Sequence, residues 1–417
     1  MTGPSKAGPA TTGPSADELW SLLEPLVDLL LRSSYEGTVR CEAIVRGIAA
    51  HYGHEVHVVF LADSAMLTLG ARTSSFAREP TVPPLNQVSA LKTLVAEIHA
   101  GSLGAAAAAE RLAAIRARPP RWSRPWQVLG MVAFTVGFGV SVQSTWQQVA
   151  VCTGTGLLVG LLVVAAARHS RLSLVAPFVA SLTVTAVVLV LVGHHLVDGG
   201  PIQLIVPALF YFIPGDAISA AAMELADNRM TAGAARLSYS VVALLVLAFG
   251  ALVGTVLLRV PSSALFDVAV PGNLGPVAVW AGWVVFAAGV MLTFSMDLRD
   301  FPWALGLILL TAAVTEAATR VAGDPVGTFA GAFVMTATAL LLGRRPSLPP
   351  AYLLYLGAFY VLTPGSHGLR GLESWIGGHR IQGVTGVADM VGLLIAIAVG
   401  MLVAGAAVRP DRFTRGG

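Results

Sequence analysis

Residues 209–229 read LFYFIPGDAISAAAMELADNR. The stretch opens as an apolar segment of the kind that crosses a bilayer, breaks at Pro214-Gly215, and continues with two carboxylates, Asp216 and Glu224. Proline has no N–H to give, and its ring clashes with the preceding turn. Glycine permits the backbone turn that follows. The chain then restarts, with Asp216 placed to cap the new helix. A second break, Pro364-Gly365, comes 150 residues later, followed by Ser366, another good cap. The same spacing relates Gly193 to Gly343, Gly233 to Gly383 and Gly250 to Gly400.

The rest of the chain explains why such breaks matter. Its 417 residues are 55% hydrophobic and only 12% charged, with a mean hydropathy of +0.74. Soluble domains carry about 25% charged residues, so this is mainly an α-helical, polytopic protein of the lipid bilayer. A formal net charge of +3 is too small to argue for nucleic acid. Cys41 and Cys152 have no metal-ligand spacing and read as small packing residues, and no cofactor motif is present. About 20 apolar residues are needed for a span. Ten segments qualify: 127–145, 149–167, 172–193, 201–224, 235–258, 276–295, 301–318, 325–343, 351–376 and 384–407. The fourth of each five carries a Pro-Gly break. Five is odd, so the second half (275–408) enters from the side opposite to the first (126–258), across a linker at 259–274. This is an inverted repeat.

In transporters so built, paired Gly/Pro-interrupted segments point to the binding site. A restarted helix exposes N–H groups and a positive dipole end. Free backbone is tolerated at membrane depth only inside protein or beside water. The breaks therefore predict a polar cavity between the halves.

Arginines orient the spans. Arg116, Arg118, Arg121 and Arg124 precede the first. Later inside loops hold Arg168, Arg171, Arg229, Arg236, Arg299, Arg344 and Arg345, and the tail holds Arg409, Arg412 and Arg415. Both termini are therefore expected in the cytoplasm. Trp122, Trp126, Trp146, Trp280, Trp283 and Trp303 fit interfacial belts.

Residues 1–15, rich in Gly, Pro, Ser and Thr, and 409–417 read as tails, and no signal peptide opens the chain. Residues 16–125 read as a small cytoplasmic α+β domain: two helices, a hairpin EVHVVFLA/SAMLTLGA, a third strand SSFARE, then two helices, the last capped by Ser102. His51, His54, His57 and His99 lack ligand spacing and read as surface or packing residues.

Near the breaks, Asp216, Ser219, Ala220, Met223 and Asp227 share a face, with Glu224 adjacent; Ser366, Arg370 and Glu373 share another beside His367. An acidic half facing an arginine suits a zwitterion, and a carboxylate there could carry a coupling proton. The plainer alternatives are Asp216 as a cap, Glu224 and Asp227 solvated beside Arg229, and an Arg370–Glu373 pair. Glu316 is an intramembrane acid whose plain reading is a pair with Arg320. Asp297, Arg299 and Asp300 read as an inside loop.

Pro214-Gly215, Glu224-Leu225 and Gly233-x-x-Arg236-Leu237, then Pro364-Gly365-Ser366 and Arg370-Gly371-Leu372, with Glu42 and Glu110-Arg111-Leu112 in the N-terminal region, together resemble the bacterial threonine/serine exporter family. The resemblance spans nearly the whole chain and adds Arg236 to the candidate site. Asp216 stands where the family pattern has a second glycine, Met223 where a basic residue is usual, and Asp227-Asn228 where it has Gly-Asp. The resemblance implies export of L-threonine and L-serine driven by protons, with a homo-oligomer left open. Related two-chain members imply the alternative of dicarboxylate or other organic-anion export. A ligand-sensing membrane protein is a further alternative. An enzyme is disfavoured, since no nucleophile–base pair or metal set is visible in the spans.

Overall fold

The computed structural model describes residues 14–32, 37–77, 83–168, 170–268, 270–272, 274–362 and 364–408. The expected tails, from residue 13 back and from 409 on, and the last two residues of SSFARE lie outside them.

The N-terminal region comprises α1 (Ala16–Arg32), α2 (Thr38–His51), β1 (His57–Phe60), β2 (Ser64–Leu69), β3 (Arg72–Ala77), α3 (Leu85–His99) and α4 (Ala105–Arg116). Apolar residues at helical spacing turn Leu19, Leu23 and Leu26 of α1 inward. The strands form one antiparallel sheet in the order β1-β2-β3, with Val58 opposite Leu67 and Leu69 opposite Arg72. Alternation sends Val58, Phe60, Ala65 and Leu67 into a core shared with α1, α2 and α4. Each fully buried leucine contributes about 1.5–3 kcal/mol. Ser102 does not cap α4, which follows Gly104; its hydroxyl instead donates to the Glu97 carbonyl and closes α3. A residue just past a helix end can serve the orphan carbonyls behind it as readily as the N–H groups ahead.

Among the described residues, eight helices are long and apolar enough to cross a membrane: α5 (Arg124–Val142), α6 (Trp146–Ala166), α7 (Ser170–Gly193), α10 (Met230–Leu257), α11 (Pro276–Thr293), α12 (Phe301–Ala322), α13 (Asp324–Gly343) and α16 (Arg380–Ala407). Proline in the first turn starts α5, α11, α12 and α13, where its missing N–H costs nothing. A Thr145–Gln148 capping box starts α6. Leu161, Leu174, Val256, Val277 and Ile381 face outward, as a lipid solvent requires. Trp283 departs from the expected interfacial belt: it is buried edge-on against Phe286.

The two remaining expected spans are each split. The first is α8 (Pro201–Leu209), a 3-10 turn (Phe210–Phe212) and α9 (Gly215–Ala226); the second is α14 (Ala351–Phe359), a 3-10 turn (Tyr360–Leu362) and α15 (Pro364–Ile376). Nine residues of helix rise about 14 Å, half of a hydrocarbon core.

Packing recurs between the two sets. Helix α10 lies against α7 and α9 as α16 lies against α13 and α15, and the sets also cross, α9 touching α16 and α15 touching α10. Gly233 abuts the Ala221 carbonyl and Leu225, while Gly383 abuts the Gly371 carbonyl and Trp375. Each partner in the second pair stands 150 residues after its counterpart in the first.

Candidate functional site

The restarted end of α9 lies beside the 3-10 turn of the other split span. Pro214 occupies the N-cap position of α9, with no side-chain cap, and Gly215 already begins the helix. Helix α15 starts at Pro364. Asp216 and Ser366 are therefore inside the first turns and are not N-caps as expected. Proline, with φ preset and no N–H to lose, starts a helix without help. The side chains of Asp216, Ser219, Pro364, Gly365 and Ser366 lie outside the described set. Gly215 faces Phe359 and Tyr360 of the other broken span, and α9 touches α15.

Between the breaks the described side chains are aromatic. Phe210 and Tyr360, the first residues of the two 3-10 turns, have ring centroids 5.1 Å apart. Phe134 and Phe286 meet at 4.8 Å. Phe138 stacks on Phe210 at 3.7 Å. Among the described side chains, rings in contact fill the space where an open polar cavity was expected. Sequence reasoning missed this cluster. Its only signal was a repeated Phe-x-x-Gly, Phe134 to Gly137 and Phe286 to Gly289.

The described candidate charges lie away from the restarted ends, near the C-terminus of α9 and in the middle and last turns of α15. At the C-terminal end of α9, Glu224 is buried (1% exposed). It accepts hydrogen bonds from the Thr38 backbone N–H at 2.8 Å and from Thr38 Oγ1 at 2.7 Å. Arg236 Nε, also buried, is 3.8 Å away. Thr38 is the first residue of α2, so the helix dipole adds to the attraction. Gly37, at φ 92°, permits the turn that presents it. Glu42, one turn into α2, is buried and joins Arg46 at 3.0 Å and Arg229 at 2.7 Å. Glu224 is therefore not solvated beside Arg229; only Asp227 is exposed.

Other contacts clamp the N-terminal region to loops of the second half. Leu85 and Asn86 donate backbone N–H groups to Phe294 and Ser295. Lys92 Nζ donates to the carbonyls of Arg345, Leu348 and Pro349. Ser89 donates to Asp300 at 2.6 Å. Residues 297–300 are thus a docking surface and not a plain loop. Burial raises the Asp300 carboxyl above its ordinary value, against the opposing pull of the Ser89 hydroxyl and Arg299. A raised folded value means that its contribution to stability is full in acid and fades as pH rises through that value. Ser89→Ala is expected to weaken the docking at neutral pH by about 1.5–3 kcal/mol and by less in acid. Faster proteolysis at Arg299 in the variant than in the parent reads this; the same variant-to-parent ratio at both pH values would remove the Asp300 contact from the account.

In the middle of α15, Arg370 does not pair with Glu373, one turn further on. Its Nε and Nη2 donate to Asp267 at 2.8 and 2.9 Å. Asp267 lies between α10 and α11, in chain that also pairs with the start of α8: Gly200 N–H donates to Val268 at 2.9 Å. Glu373 is fully buried, and neither carboxyl oxygen has a hydrogen-bond partner among the described residues. Glu316 and Arg320 form an exposed pair at 2.7 Å. Among the described side chains the expected confrontation of acids with Arg370 is not formed: Glu224 lies with Arg236 near the C-terminus of α9, while Arg370 and Glu373 lie along α15.

Compared with known proteins, residues 28–258, just over half of the chain, match the family described as "Putative threonine/serine exporter". Neither the curated proteins nor the solved structures gave a match.

Proposed function

We propose that this chain, which belongs to the threonine/serine exporter family, is a secondary transporter that carries L-threonine and L-serine out of a bacterial cell in exchange for protons. The observation that supports this most is the pair of half-helices meeting at Gly215 and the Phe359-Tyr360 turn, with helix contacts recurring at a spacing of 150 residues. Such recurrence favours a ten-span, five-plus-five inverted repeat whose site lies where the breaks meet. Pro214, Gly215, Asp216 and Ser219 would line it from one half, and Pro364, Gly365 and Ser366 from the other. The exposed N–H groups of each restarted helix suit the substrate carboxylate, and Asp216 suits its ammonium. Glu373 suits the coupling proton.

Both ends of this site are latched, at Glu224–Thr38 and at Arg370–Asp267. Rocking of the halves would open one latch at a time. The arginine bias puts the Thr38 side, the domain of residues 16–125 and both termini in the cytoplasm. One charge moving through 100 mV supplies about 2.3 kcal/mol, enough for a gradient of about 50-fold.

The test is efflux of radiolabelled threonine and serine from loaded proteoliposomes under an imposed proton gradient. Efflux should exceed that of protein-free vesicles and collapse with an uncoupler. Efflux equal to that of empty vesicles ends the amino-acid reading. Efflux that survives the uncoupler ends the antiport.

A further inference from the structure

Arg370 stands between two carboxylates and is bonded to one. Asp267 takes both of its donors in a bidentate pair. Glu373 lies three residues on, within electrostatic reach of both Arg370 and Asp267. It is fully buried, with both oxygens unpartnered among the described residues. Positions i and i+3 on a helix are neighbours, so a rotamer change of Arg370 brings its guanidinium to Glu373. It cannot hold both carboxylates bidentately. A charge on Glu373 without the arginine would be buried and uncompensated, which costs several kcal/mol. The proton therefore sits on Glu373 while Arg370 sits on Asp267.

Asp267 belongs to a strap. Residues 259–268 run between α10 and α11 and tie both halves together. Gly200 donates to Val268 and Ile202 to Phe266 in the first half. His379 Nε2 meets the Ser263 carbonyl, and Gly377 packs on the Leu265 carbonyl, in the second. Leu265 is fully buried beneath the strap. Among the described side chains, the other charged groups on neighbouring elements stand apart from Glu373. On the elements packed against α15, α16 carries Arg380 and Asp389, both exposed, and α10 carries Arg236 with the exposed Tyr239. Helix α9 carries Asp216 and, at its opposite end, Glu224; α8 carries none. His367 lies on α15 itself and His379 follows it.

We propose that Arg370 is a two-position switch that couples the protonation of Glu373 to the opening of the 259–268 strap. With Glu373 protonated, Arg370 holds Asp267 and the strap is shut. When Glu373 gives its proton to water on the cytoplasmic side, its carboxylate draws Arg370 away, Asp267 is released and the strap lifts. A proton arriving from outside adds to the Glu373 carboxylate, returns Arg370 to Asp267 and shuts the strap. The order of events is that of an antiporter: outward opening follows proton loss inside, and outward closure follows proton binding outside. This rests on the exporter reading for its direction, but the latch itself needs no substrate.

The experiment uses the full chain in right-side-out vesicles, with Cys41 and Cys152 replaced by alanine and Leu265→Cys introduced. A membrane-impermeant maleimide is the probe. Rates are normalised to Ser263→Cys, an exposed position on the same strap, which removes the intrinsic pH dependence of thiol reactivity. In the parent, normalised labelling should rise about tenfold from acidic to alkaline external pH, the size of one coupled charge pair. Glu373→Gln, isosteric and permanently neutral, should label slowly at every pH. Asp267→Asn should label fast at every pH. Retention of the pH response in Glu373→Gln overturns the proposal, as does slow labelling of Asp267→Asn. If Asp267→Asn does not insert, the Glu373→Gln arm decides alone. A chain that passes this test but exports neither threonine nor serine keeps the latch and loses the assigned substrate.

Discussion

Replacing Gly137 by leucine is expected to leave no folded protein in detergent. Helices α5 and α11 cross with their backbones nearly touching. A Cβ at Gly137 would collide with the backbone nitrogen of Phe286 and lie 2.6 Å from the Gly282 carbonyl, and one at Gly289 would collide with the backbone of Phe134. Lipid tails are as apolar as leucine, so helix association in a membrane rests on close packing, and small residues permit it. A methyl group forced into a packed core costs about 1–3 kcal/mol when side chains can move aside. Here the obstacle is backbone on both sides, so the helices must separate, and the Phe134–Phe286 contact that closes the centre goes with them. Gly137→Ala should lower the melting temperature measurably, and Gly137→Leu should run as aggregate on size exclusion. The control is Gly306→Ala, where nothing lies within 4 Å and alanine should gain up to about 1 kcal/mol of helix propensity. A monodisperse Gly137→Leu with an unchanged melting temperature would refute the crossing.

The bilayer made much of the fold legible before any coordinates. Its demand for an unbroken apolar run with every backbone group satisfied is a local signal. The segments expected at 276–295 and 325–343 accordingly lie within two residues of α11 and α13. The breaks at 214 and 364 were legible for the same reason, since proline acts on its own turn. Pairings across the chain were not. Thr38 and Glu224 are 186 residues apart, and Asp267 and Arg370 are 103 apart. No spacing rule reaches that far. Local spacing suggested Arg370 with Glu373, but a planar guanidinium gains more from two parallel bonds to one carboxylate, and the strap supplies that carboxylate. Asp300 was misread because a charged residue in a loop is ordinarily solvated; what buries it is α3, more than 200 residues earlier in the chain.

The second large effect concerns the Glu224 end of α9, where Arg236→Met is expected to destabilise the protein by about 3–5 kcal/mol and to abolish transport. Glu224 and Arg236 are both buried, at 1% and 3% exposure. Removing the cation leaves a carboxylate in a low-dielectric site held by Thr38 alone. The cost comes from that uncompensated charge and not from the lost attraction. Neutralising the acid as well should therefore recover stability: Glu224→Gln combined with Arg236→Met should melt closer to the parent than Arg236→Met does. Thr38→Val keeps the backbone donor and removes the hydroxyl, for a smaller loss of about 1–3 kcal/mol. The double variant also separates stability from function, since a Glu224→Gln chain that folds has lost the charge that holds α2 against the end of α9. If that contact must form and release in each cycle, the double variant should be stable and inactive. Thermal melts of the single and double variants, set beside amino-acid efflux, decide it. Additive losses would mean that the two residues are uncoupled, and a stable, fully active double variant would mean that the Thr38 contact only anchors α2.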